Sequence, residues 1–111
     1  MRKPSGPWAT EPKSRDFLTE QTLAEVQASE AAYVRSIGKL SAIAGQTLEN
    51  SPSPLAAAYR EKLRVLDAEI LDLRANVEND LYSSYLRNQL AVLYRDKQRT
   101  LEDWTKYATT N

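Results

Sequence analysis

The side chains of this protein that could do chemistry are carboxylates, tyrosines and lysines, because it contains no histidine and no cysteine. Without histidine it lacks the usual general base, the commonest neutral metal ligand and the switch that titrates near neutral pH. Without cysteine neither a disulfide nor a thiolate metal site can form. Five acids, Asp67, Glu69, Asp72, Glu78 and Asp80, fall in one short stretch and could ligate a hard cation through oxygen. Helical spacing spreads them around the axis, and no calcium-type loop with a central glycine accompanies them, so a solvated helix face is expected and no metal is assigned. Arg95, Lys97 and Arg99 with Tyr94 and Trp104 form a basic, aromatic-bearing strip, the ingredients of a nucleic-acid contact. Asp96, Glu102 and Asp103 interrupt it, the pattern of a salt-bridged surface, so no nucleic-acid partner is expected. Neither G-x-S-x-G nor H-E-x-x-H occurs, and no glycine-rich loop follows a strand pattern. The expectation is a non-enzymatic chain without a cofactor. Among the six tyrosines, Tyr33, Tyr59, Tyr85 and Tyr94 are expected at the core's edge with their hydroxyls in water.

The elements that would carry these residues are helical. A chain of 111 residues suits one domain. Apolar residues at 41% and charged residues at 27%, with three glycines, fit a folded helical chain rather than a disordered one. Fifteen basic residues offset fifteen acidic ones, so no net field draws the molecule to a polyanion or an anionic membrane, and any partner is selected by shape. No apolar run approaches the roughly 20 residues that cross a bilayer.

Residues 1–13 hold three of the five prolines and read as a flexible lead-in. Trp8 is its one large apolar group, either an anchor on a partner or a ring folded back on the rest. The helical domain is expected over 14–108, with Ser14 capping a first helix over about 15–48. Its seam is Leu23, Val26, Glu30, Tyr33, Ile37, Leu40, Ala44 and Thr47, at alternating steps of three and four. Gly38 and Gly45 are expected to let another helix approach closely. Pro52 and Pro54 end this helix and begin a second over 54–78, with Ser53 as its cap. Leu55, Tyr59, Leu63, Leu66, Ile70, Leu73 and Val77 form its stripe. A third stripe runs Leu86, Leu90, Leu93, Lys97, Leu101 and Trp104. One rod through both would swing the apolar face about half a turn between Val77 and Leu86 at about 100° per residue. A break at 79–84 is therefore expected, followed by a third helix over 83–107 and a frayed tail at 109–111.

These stripes predict an all-α, up-down-up antiparallel three-helix bundle with a long first helix. The start of that helix would overhang its neighbours, exposing Phe17 and Leu18 as candidate contacts for a homodimer or partner, unless the lead-in folds over them. The same alignment sets Lys97 level with Asp67 and Glu30 level with Arg74. A charge inside a seam needs an opposite charge, so both pairs are expected to meet and set register.

The order Glu30-Ala-Ala-Tyr33, Ile37, Leu40, a proline-rich turn, Leu63, Asp67, Ile70, Arg74, Tyr85-Leu86, Leu90, Tyr94, Lys97 and Leu101 resembles the extracytoplasmic helical part of zinc-finger transmembrane anti-sigma factors. The resemblance covers about residues 30 to 104. That family's cytoplasmic zinc motif and membrane span have no counterpart in these residues, so no zinc-binding or sigma-binding residue carries over. The resemblance implies a periplasmic or otherwise extracytoplasmic sensor whose parent has a membrane span upstream, working by relay between partner contact and helix packing. The alternative is a free-standing cytoplasmic helical adaptor or coiled-coil assembly protein.

Overall fold

The computed structural model of the protein describes residues 17–110. The expected lead-in over 1–13, Trp8 and the cap at Ser14 lie outside the described residues. Within them are three helices, α1 (Glu20–Asn50), α2 (Pro54–Asn79) and α3 (Ser84–Thr110), joined by short turns.

Local chemistry accounts for each boundary. Thr19 has extended backbone (φ −76°, ψ 167°), and its Oγ1 accepts the Thr22 amide at 3.1 Å, so α1 begins at Glu20. The helical overhang expected from residue 15 is thus not formed at Phe17 and Leu18, which precede the helix. At the other end of α1, Arg60 reaches back from α2, and its Nη1 donates to the carbonyls of Leu48 (2.7 Å) and Ser51 (3.1 Å). This satisfies carbonyls that a helix C-terminus leaves without partners. Ser53 caps α2 through Oγ, which accepts the Ala56 amide at 3.0 Å, and Pro54 occupies the first turn. The break at 79–84 is real: Asp80 leaves helical geometry (φ −151°, ψ 73°), and the Ser83 amide donates to the Asp80 carbonyl at 3.2 Å. Ser83 Oγ then accepts the Leu86 amide at 3.1 Å and starts α3. Instead of fraying at 109, α3 continues to Thr110, where threonine hydroxyls bond back to carbonyls one turn earlier.

The architecture is an all-α, three-helix bundle, with α1 and α2 each packed along α3 and touching each other far less. Two side-chain contacts set the direction of α1 against α3. Glu30 meets Arg87 and Thr47 meets Trp104, both 57 positions apart, so α1 and α3 run parallel in constant register, with α2 antiparallel between them in the chain. The core comprises Ile37, Ala44 and Leu48 of α1, Ala56, Ile70, Leu73 and Val77 of α2, and Leu90, Tyr94, Leu101 and Trp104 of α3.

Two details depart from the stripes read in the sequence. Leu55 is exposed while Ala56 is fully buried, so the face that α2 buries in its first turn is one position on from the stripe. Gly38 and Gly45 also do not serve close packing, since an added Cβ would meet no atom within 4 Å at either position. They are helical residues beside open space, where glycine costs conformational entropy without a packing return. Gly38→Ala and Gly45→Ala should therefore each stabilise the fold by about 0.4–1 kcal/mol, measured as a higher urea midpoint at unchanged slope. A loss of stability in both variants would show that something packs there in solution.

Candidate functional site

The chemically distinctive region is the end of the bundle where the chain enters α1 and where α2 turns into α3. Arg87, in the first turn of α3, is its centre. Only 4% of its side chain is exposed. Its Nε donates to the Leu81 carbonyl at 2.8 Å and its Nη1 donates to Glu30 Oε1 at 2.7 Å. A guanidinium stays charged in proteins, so burial obliges it to find acceptors in this way. The other Glu30 oxygen, Oε2, is buried with no hydrogen-bond partner among the described residues. Beside this pair the Leu18 amide donates to the Tyr82 carbonyl at 2.8 Å, and Phe17 pairs with Ser83 as an isolated antiparallel bridge. The strand-like entrance and the α2–α3 turn are thereby joined by backbone hydrogen bonds.

The candidate residues divide as follows. Lys97 Nζ lies 2.5 Å from Asp67 Oδ1, joining α2 to α3, with Asp67 more than half exposed. Glu30 does not pair with Arg74. Both line one groove of about 350 Å³, but Arg87, fixed by Leu81 and buried between the helices, takes the carboxylate. Arg74 makes no ion pair among the described residues. Phe17 is 51% exposed, and Leu18 is half-buried against the turn rather than standing free on an overhang. Trp8 lies outside the described residues.

Sequence reasoning missed Arg87. It is three residues before Leu90 and seven before Tyr94, both buried, so its place in the α3 seam was visible in the spacing. Assigning the seam to Leu86 put the arginine one position outside. Tyr94 also differs from the expected edge position: it is 5% exposed, and its ring stacks on Tyr33 with centroids 6.1 Å apart. Burial pushes its phenol above the ordinary value of 10.0; Arg74 opposes that rise and Glu30 adds to it. Further along, Trp104 Nε1 donates to Thr47 Oγ1 at 3.0 Å, so the buried indole has its acceptor. The acids of α2 gather into no group of three or more possible metal ligands among the described residues. No described helix is long and apolar enough to cross a membrane.

Searches of protein-family models, curated proteins and solved structures gave no match for this chain. Its function is therefore argued from geometry.

Two measurements test the site. Glu30→Ala strands the Arg87 guanidinium, and removing one partner of a buried pair costs about 3–5 kcal/mol, whereas Arg74→Ala should stay within about 0.5 kcal/mol. Urea denaturation of the two variants decides, and equal effects would remove Arg87 from its central place. Tyr94 provides a pH test. Its folded pKa is raised, so the folded state holds the proton longer than the unfolded chain does. Its contribution is complete below the unfolded value near 10.0 and is lost as pH rises through the folded one. Tyr94→Phe should flatten the fall in stability above that pH, as read from melting temperatures across an alkaline series.

Proposed function

We propose that the bundle is a regulatory module acting by protein–protein contact, and in its finer form the extracytoplasmic sensor portion of a transmembrane anti-sigma factor. The observation that carries the proposal is the junction between the chain's entrance and the α2–α3 turn. Leu18 donates to Tyr82, Phe17 pairs with Ser83, and Arg87 ties the same turn to Glu30 of α1. A relay needs two elements whose positions are linked and a segment that leads elsewhere. Here any change in how α2 and α3 pack moves the turn, and the turn holds the segment preceding α1. In the sensor reading that segment leads toward the membrane, so a partner gripping the helices alters the chain that reports inward. No catalytic group is assigned, because the polar clusters at this end are engaged in holding the helices together. The layout of Glu30, Tyr33, Asp67, Tyr94 and Lys97 that resembles the anti-sigma family supports the finer form.

Topology mapping of the natural gene product decides between this and a cytoplasmic adaptor. Reporter fusions within α2 are expected to be active outside the cytoplasmic membrane, with a membrane span upstream of residue 1. A gene product that begins at this methionine and remains in the cytoplasm would end the sensor reading and leave the adaptor.

A further inference from the structure

The outer face shared by α2 and α3 carries a pattern that complements itself. On α2, Val65, Glu69, Asp72 and Asn76 follow at steps of four, three and four, so they share one side of the helix. On α3, Tyr85, Gln89, Val92, Asp96 and Arg99 do the same. A groove of about 560 Å³ has Glu69, Asp72 and Asn76 on one wall and Gln89 and Val92 on the other, so both rows border one opening. Val65, Tyr85 and Val92 are 41%, 64% and 52% exposed. Glu69, Asp72, Arg95 and Arg99 are exposed and make no ion pair among the described residues. The Asp67–Lys97 contact fixes the level of each antiparallel helix against the other. Five residues on from Asp67 and five back from Lys97, Asp72 lies level with Val92; two residues the other way, Val65 lies level with Arg99. These four positions are the corners of a rectangle about 10 Å on each side. Each helix carries a valine and, seven residues later, a charge, negative on α2 and positive on α3.

We propose that the chain forms a two-fold homodimer through this α2/α3 face, with Asp72 and Arg99 of each copy paired to Arg99 and Asp72 of the other. A two-fold axis through the centre of the rectangle, perpendicular to the face, makes both ion pairs at once and lays Val92 on the partner's Val65. The same operation sets Tyr85 over the partner's Ala58, a large ring over a small residue, and Gln89 over the partner's Lys62. Glu69 then comes to the level of the partner's Arg95. Asp96, at that level too, is countered within its own chain by Lys62 at 3.6 Å. Fifteen basic residues balance fifteen acidic ones, so two copies carry no net repulsion. A face about 30 Å long and two helices wide offers about 600 Å² per copy, about 1,200 Å² in all, the lower end for a specific interface, so the dimer is reversible. The inference concerns self-association and holds for a sensor or an adaptor alike, so its failure leaves the relay proposal standing.

Sedimentation velocity of the full chain from about 1 μM to about 1 mM should show a monomer–dimer equilibrium. Asp72→Arg and Arg99→Asp each oppose like charges at both contacts and should weaken self-association at least about tenfold, with the helical signal and urea midpoint close to those of the parent chain. Mixing the two variants restores opposite charges at both contacts, and the mixture should dimerise as the parent does. Misfolding, or a dimer built on another face, gives no such rescue. A second route leaves the charges alone: with no cysteine in the chain, Val65→Cys mixed with Val92→Cys should form a mixed disulfide dimer faster than either variant links to itself. Variants that dimerise like the parent, folded variants that fail to rescue each other, or equal linking rates would overturn the proposal. So would a chain monomeric at about 1 mM, which would leave the face to a different protein.

Discussion

Burying one guanidinium constrains much of this bundle. Arg87 cannot shed its charge, so its position requires the Leu81 carbonyl and the Glu30 carboxylate to stay where they are. The first acceptor fixes the turn after α2, and the second fixes the rotation of α1 against α3. With the turn held, its Tyr82 carbonyl and Ser83 backbone are presented to Leu18 and Phe17, and the entrance to α1 is set. The opposite half of the α1–α3 interface repeats the same 57-residue offset through Thr47 and Trp104. One polar contact near each end therefore locks a register that apolar packing alone leaves free to slip by a turn. The two contacts differ in cost. An indole bonded to a hydroxyl is neutral and easily satisfied, whereas the Glu30–Arg87 pair removes two charges from water and leaves Glu30 Oε2 without a donor among the described residues.

Much of the fold was legible because it is written in periodicity and punctuation. The proline pair with Ser53 between them, and the phase jump between Val77 and Leu86, each located a turn that the structure forms. The start of α1 was not legible from periodicity. Phe17 and Leu18 suit a helix in composition, but Thr19 as cap and the unpaired backbone of the α2–α3 turn together draw them into an extended segment. A non-local acceptor of this kind is invisible to a reading made along one helix. The ion pairs show the same limit. Asp67 and Lys97 follow from helix alignment, which sets them level on facing helices, and the two meet. Glu30 had two arginines at its level, and the choice depended on which was already anchored, a fact about the Leu81 carbonyl rather than about sequence spacing.

The two helix contacts of α3 are not matched by one between α1 and α2. Open space beside Gly38 and Gly45 fits that imbalance, as does the half-exposure of Val34 on the same side. A bundle built this way is held chiefly by its last helix, with a smaller interface between α1 and α2. The largest core side chains, Tyr94 and Trp104, both come from α3, beside Leu90 and Leu101. The α1–α2 interface is the smallest of the three.

This asymmetry gives the proposed relay a physical basis. In a symmetric three-helix core every helix is restrained by two neighbours, and displacing one disrupts two interfaces. Here α2 joins the rest chiefly through α3 and two short turns, one closed by Arg60 on the end of α1 and the other by Arg87. A partner that pulls α2 away from α1 loads those turns directly. At the Arg60 end the load falls on carbonyls of a helix terminus, which water can satisfy when the side chain leaves. At the Arg87 end it falls on a buried charge that water does not reach, so that turn moves as a unit with Glu30 and the entrance strand. In the proposed relay, compliance at one end and rigidity at the other turn a change in helix angle into displacement of Phe17 and Leu18 at the entrance.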